Sequence, residues 1–331
     1  MSHHFPMAEN ILSDDVQKEP IRAGFGRGLR AAGEANEAIV ALCADLTEST
    51  QMHLFRDAFP NRFVEIGVAE QNLVTVASGM ARAGKIPFTS SYAAFSPGRN
   101  WEQIRTTAAL NEQPVKIIGS HAGVSVGPDG ATHQMLEDIA LMRVLPHMVV
   151  VAPGDSIEAE KATRAIAENG KPSYLRLARE KTPVFSTADS PFEIGKAYVL
   201  REGHDVTLLG TGTMTYEMLV AAEALQQHGI SAEVVHVPTI KPLDEHTILT
   251  SVRKTGRAIT AEEAQAAAGF GGAIAELLSE QLPTPLKRIG MQDRFGESGK
   301  PDELLDYFGM TGAKIAQTAQ EFINSVPRYH Q

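Results

Sequence analysis

The side chains best suited to chemistry crowd into residues 62–133. Glu70 stands in Ile66-Gly67-Val68-Ala69-Glu70-Gln71-Asn72, where a short strand pattern gives way to an apolar helix pattern. A carboxylate at that junction either complements the helix dipole, worth about 0.3–1 kcal/mol, or acts on a ligand at the strand end. Tyr92 and Phe95, in Ser90-Ser91-Tyr92-Ala93-Ala94-Phe95, follow another strand end and read as core packing or as a flat aromatic platform. His121, Asp129 and His133 share a loop that also carries Gly123, Gly127 and Gly130. Two histidines and an aspartate are possible zinc ligands. They lack a helical HxxxH spacing, so polar substrate binding or proton transfer suits the loop better.

Such residues need a frame to converge. Apolar strand runs at 39–43, 62–66, 87–90, 115–119 and 148–151 alternate with helical stretches at 71–83, 100–110, 134–145 and 155–168. Continuous apolar strands between helices predict a mostly parallel sheet covered on both faces, with ligands at the strand ends. Residues 181–191 (KTPVFSTADSP) read as a linker, after which the alternation restarts. The predicted fold is therefore α/β in two domains, 20–185 and 192–331, each a mostly parallel sheet flanked by helices. A flexible polar arm, residues 1–19, precedes them. Gly210-Thr211-Gly212-Thr213 follows a strand but lacks the third glycine of a dinucleotide fingerprint, so a tight turn is the simpler reading. Gly24, Gly26 and Gly28 are read as helix-packing glycines.

Composition narrows the function classes. The chain has 331 residues, 30 Lys plus Arg against 40 Asp plus Glu, and a net charge of −10. No basic stripe marks a nucleic-acid or acidic-membrane surface. Cys43 is the single cysteine, which excludes a disulfide framework and Cys-based zinc. His3 and His4 in the arm read as solvated rather than metal-binding. Neither a transmembrane run nor a signal-peptide core stands out, so a soluble, cytoplasmic protein with no nucleic-acid or membrane partner is expected.

Four motifs in order carry a resemblance. Val64-Glu65-Ile66-Gly67-Val68-Ala69-Glu70-Gln71-Asn72, the Tyr92–Phe95 pair, Gly127-Pro128-Asp129-Gly130-Ala131-Thr132-His133-Gln134 and Ala44-Asp45-Leu46-Thr47-Glu48-Ser49 together resemble the pyrimidine-binding domain of transketolases. Deoxyxylulose-5-phosphate synthases are similar there, and the second domain looks like the transketolase C-terminal domain. The resemblance implies that Glu70 hydrogen-bonds N1′ of the thiamine diphosphate aminopyrimidine, holding a proton there. Tyr92 and Phe95 would pack against that ring, and Asp45 would lie near the cofactor at a subunit interface. His121, Asp129 and His133 would bind sugar hydroxyls, with His121 and His133 assisting proton transfers. Arg22, Ser49 and Arg179, with His121, would grip the phosphate of a sugar-phosphate substrate. The second domain offers no assignable chemistry of its own and is expected to support assembly.

One family motif is missing. Transketolases hold the diphosphate and Mg²⁺ through a Gly-Asp-Gly motif and a later Asn-Asn pair, and no Gly-Asp-Gly occurs here. The resemblance thus implies the C-terminal subunit of a split transketolase. A separate N-terminal subunit would bind Mg²⁺ and the diphosphate, and the two chains would homodimerise as an α2β2 heterotetramer. The expected reaction moves a two-carbon ketol unit from a ketose phosphate to an aldose phosphate. Alternatives are a deoxyxylulose-phosphate-synthase-like or 2-oxo-acid dehydrogenase beta-type subunit using pyruvate or another 2-oxo acid, and a non-catalytic interaction module.

Overall fold

The computed structural model describes residues 5–328. Of the stretch read as a polar arm, His3 and His4 lie outside the described residues. From Phe5 onward it is laid onto the body. Phe5 is buried, the Ala8 amide donates to the Phe185 carbonyl at 2.9 Å, and Met7 and Ile11 pack on the core of the second domain. Strand β1 (Lys18–Pro20) pairs antiparallel with Lys181–Pro183, the start of the stretch read as a linker. Apolar side chains at positions 5, 7 and 11 explain the docking, because each removes surface from water.

The first sheet collects β2 (Ile39–Cys43), β3 (Phe63–Glu65), β4 (Ile86–Tyr92), β5 (Lys116–Ser120), β6 (Val149–Val151) and β7 (Ser173–Arg176). Lys181–Pro183 is β8. The sequence Ile-Val-Ala-Leu-Cys of β2 is buried at every position, as a central parallel strand requires. Helix α1 (Ile21–Ala35) lies against α6 (Ser156–Glu168), and a Cβ on Gly24 would stand 1.7 Å from the Ser156 carbonyl oxygen. That glycine serves close helix packing, in agreement with the sequence reading. Helix α2 (His53–Ala58) shares this face, while α3 (Glu70–Arg82) and α5 (Asp138–Arg143) cover the other. The stretch read as a helix from 100 begins as α4 (Trp101–Gln103) and continues as a π-helical segment, Ile104–Ala109.

The second sheet holds β9 (Tyr198–Arg201), β10 (Val206–Gly210), β11 (Ala232–His236), β13 (Ala258–Gln265) and β14 (Leu286–Met291), with only β9 antiparallel. Helices α7 (Met214–Gln227), α8 (Glu245–Thr255), α9 (Phe270–Gln281), α10 (Pro301–Tyr307) and α11 (Gly312–Ser325) flank it. Strand β12 (Thr239–Lys241) leaves this unit and pairs antiparallel with β6, completing a first sheet of order β12-β6-β7-β5-β4-β2-β3. The second unit therefore lends a strand to the first sheet, and apolar core joins the two. Among the described residues, no helix is long and apolar enough to cross a membrane.

Strand order positions the site. From β2 the chain steps outward to β3, crosses back to β4 and then proceeds to β5 on the far side. Loops leaving β2 and β4 diverge there, at the carboxyl ends of the strands, which is where open α/β sheets bind ligands.

Candidate active site

The parallel strands deliver nearly every candidate residue to this rim. Asp45 and Ser49 follow β2, Glu70 follows β3, Tyr92 ends β4, His121 follows β5 and Arg179 follows β7. Arg22 comes from the first turn of α1. Glu70 opens α3 and is 2% exposed. Its backbone carbonyl accepts Asn100 Nδ2 at 2.8 Å, and its Oε2 accepts Arg99 Nη1 at 2.8 Å. The Arg99 guanidinium also lies 4.7 Å from the Phe95 ring centre.

From Phe95 the contacts run on through the aromatic and imidazole rings. Tyr92 and Phe95 are near-parallel, 22° apart with centroids at 6.1 Å. The His133 ring meets Phe95 edge-on at 5.4 Å, and the His121 ring stacks on Tyr92 at 3.9 Å. Arg22 Nη1 donates to His121 Nε2 at 2.9 Å. A guanidinium can only donate, so Nε2 is the acceptor and the imidazole proton sits on Nδ1, donated to Ser120 Oγ at 2.9 Å. Burial, then the charges of Arg22, Arg179 and His133, push the His121 pKa down to about 3. This imidazole is neutral at physiological pH. His133 is less enclosed, and its Nδ1 contacts Thr132 Oγ1 at 2.9 Å.

Positive charge gathers at one end. Arg22 is shifted down by burial and by the neighbouring Arg179 charge, and its Nε is buried without a partner. Arg179 donates to the Val126 carbonyl at 2.6 Å and lies 3.6 Å from the exposed Asp129 carboxylate. An unpartnered buried guanidinium donor beside a second arginine is a place for an anion.

Asp45 and Ser49 stand apart from this cluster. Asp45, at φ +57°, is exposed, and its amide donates to Glu65 Oε1 at 2.8 Å. Glu65 also accepts the Gly67 amide and Thr47 Oγ1, so one carboxylate clasps the loops after β2 and β3. Among the described residues, no hydrogen bond or ion pair joins Ser49 to Arg22, His121 or Arg179.

Sequence reasoning missed Arg99, Glu65 and a buried network behind the site. Arg176 Nε and the Tyr174 hydroxyl both donate to Asp138 Oδ2, at 2.8 and 2.6 Å. No motif marks these residues. The signal that could have found Arg99 is its place, four residues beyond Phe95 in the same turn. Among the described residues, no three His, Cys, Asp or Glu side chains gather as a metal site.

A two-domain parallel α/β protein with a buried glutamate, an aromatic pair and an arginine-rich pole on one sheet rim is what this fold and site define. Residues 17–184 match the family described as transketolase, pyrimidine binding domain, and 195–315 match transketolase, C-terminal domain. The chain belongs to the transketolase family. A protein of Methanocaldococcus jannaschii described as a transketolase C-terminal section is 45% identical, covering 91% of this chain and 95% of its own length. A 6-deoxy-6-sulfo-D-fructose transketolase subunit of Clostridium sp. (strain MSTE9) is 42% identical, covering 87% of this chain and 89% of its own. Among solved structures, a split gene transketolase described as an inactive β4 tetramer superposes with a TM-score of 0.86 at 42% identity, covering 92% and 98% of the two chains.

Proposed function

We propose that this chain is the C-terminal subunit of a thiamine-diphosphate-dependent split transketolase, moving a two-carbon ketol unit from a ketose phosphate to an aldose phosphate. The observation that carries the reading is Glu70, a carboxylate buried to 2% exposure on the sheet rim and tied through Arg99 to the Tyr92–Phe95 platform. An acid beside flat rings suits a protonatable aromatic heterocycle. Bound thiamine diphosphate supplies the electron-sink chemistry, and the protein supplies binding and orientation.

Each residue then has a task. Tyr92 and Phe95 present faces to the pyrimidine, and Glu70 holds a proton at its ring nitrogen once Arg99 has moved off. Asp45, fixed by Glu65, borders the cofactor at the subunit junction. Neutral His121 and Asp129 take sugar hydroxyls, and His133, the more open imidazole, moves protons through Nε2. Arg22 and Arg179, with Ser49 at the loop after β2, receive the anionic end of the sugar, where forked donors suit a phosphate.

The diphosphate and Mg²⁺ fall to a partner N-terminal subunit in an α2β2 assembly in the cytoplasm. This division is supported by the relative described as a transketolase C-terminal section, matched over 95% of its length, and by the inactive β4 state named for the solved split gene transketolase. The test is reconstitution. The chain with its partner, thiamine diphosphate and Mg²⁺ should consume a ketose phosphate and elongate an aldose phosphate, while each subunit alone stays inert. Turnover of pyruvate in place of the ketose phosphate, or full activity of the isolated chain, would overturn the assignment.

A further inference from the structure

The second domain sends one buried carboxylate into the loop of the first. Glu263, on β13, is 2% exposed. Its Oε1 accepts the Ser125 amide at 2.5 Å, and its Oε2 accepts Thr213 Oγ1, just before α7, at 3.0 Å. Its backbone carbonyl accepts Arg176 Nη2 at 2.8 Å, so both ends of the residue bridge the domains.

Ser125 lies within the His121–His133 loop, between the buried imidazole and Asp129. Gly123 makes room for the clamp. Its φ is +92°, and a Cβ there would stand 2.3 Å from Glu263 Oε1. The far end of the loop is held from the same side, since Gln134 Nε2 donates to the Val124 carbonyl at 3.0 Å and to the Glu297 carbonyl at 2.9 Å. A loop with three glycines has much conformational freedom to lose on ordering. An amide bonded to a carboxylate is among the stronger hydrogen bonds available to offset that loss.

We infer that Glu263 is a positioning residue for the substrate loop, so that the second domain sets the placement of His121, Asp129 and His133 without touching the substrate. The inference rests on the proposed sugar-phosphate reading of that loop, and adds to it a working role for a domain expected only to support assembly.

Two readouts on the full chain test it. Amide hydrogen exchange, read on the chain without partner, should rise about tenfold or more across residues 121–134 in Glu263→Ala, as expected when a charge-assisted bond is lost. The sheets should keep their protection. Glu263→Gln, whose amide oxygen still accepts from Ser125 without the charge, should rise clearly less than Glu263→Ala. In the reconstituted complex, Glu263→Ala should raise KM for the ketose phosphate about tenfold with a smaller change in kcat, and Glu263→Gln should recover most of that loss. An active parent complex in which Glu263→Ala changes neither loop exchange nor KM overturns the clamp. Equal damage from both variants, spread over the whole chain, also overturns it, since that marks a purely structural residue. A parent complex inert toward ketose phosphates overturns instead the sugar-phosphate reading of the loop, and raised exchange at 121–134 would still uphold the clamp itself.

Discussion

Arg99 Nη1 lies 2.8 Å from Glu70 Oε2, so the carboxylate proposed to serve the pyrimidine is ion-paired before any ligand arrives. The arginine is half exposed and the glutamate buried, which lets the arginine swing out while the glutamate stays. Arg99→Ala should therefore have opposite effects on the two forms of the protein. The isolated chain should lose about 1–3 kcal/mol of stability, because a buried carboxylate is left without its partner. In the assembled complex the apparent affinity for thiamine diphosphate should increase, since no ion pair has to open. Chemical denaturation and cofactor titration read the two effects. Weaker cofactor binding would show that Arg99 holds the cofactor rather than competing with it.

The arginine-rich pole predicts selectivity. Arg22→Ala and Arg179→Ala should each raise KM for a phosphorylated donor about 10–100-fold, the range expected for a lost hydrogen bond to a charged group. An unphosphorylated ketose should be nearly indifferent to either change. Equal losses on both donors would move the phosphate elsewhere.

His121 predicts a pH dependence of stability. The folded imidazole titrates near 3 instead of its usual 6.5. As pH falls below about 6.5, the unfolded chain takes up a proton that the folded chain refuses, so stability is lost progressively down to about 3. At pH 8 both states are neutral at this site and it contributes nothing. Urea unfolding at pH 8 and pH 5 should thus show the parent losing about 2 kcal/mol more than His121→Gln between the two. An equal loss in both would place the acid sensitivity on other groups.

The network behind the site predicts a large structural effect. Arg176 is 7% exposed and its partner Asp138 is fully buried. Arg176→Ala leaves that carboxylate without its guanidinium and should cost about 3–5 kcal/mol. Thermal unfolding is the check. A shift of a degree or less would mean that the Tyr174 hydroxyl alone suffices.

Legibility of the fold followed the chemistry of each segment. Ile39–Cys43 matches its apolar run residue for residue, because a strand buried on both faces has no polar alternative. Ser173–Arg176 escaped notice because its tyrosine and arginine are paired with Asp138, distant in sequence. The helix expected over 134–145 shrinks to Asp138–Arg143. The residues ahead of it are diverted, the Met135 carbonyl to the Gly123 amide and the Gln134 side chain to the loop. Strand β12 is hidden for a related reason: Thr239–Lys241 pairs with Val149–Val151, far earlier in the sequence and in the other domain's sheet. Among the candidate residues, Glu70, Tyr92, Phe95, His121 and His133 stand out in the sequence itself, and the fold links their side chains, Glu70 through Arg99. Arg99 and Glu263 do not stand out, because their importance lies in what they touch across the fold.

The most direct measurement is the turnover of the reconstituted complex carrying Glu70→Gln, with assembly followed by size-exclusion chromatography. The account predicts an intact complex whose kcat falls by about 100-fold or more, the scale of a lost proton-transfer group. An intact complex that turns over at the parent rate would contradict it.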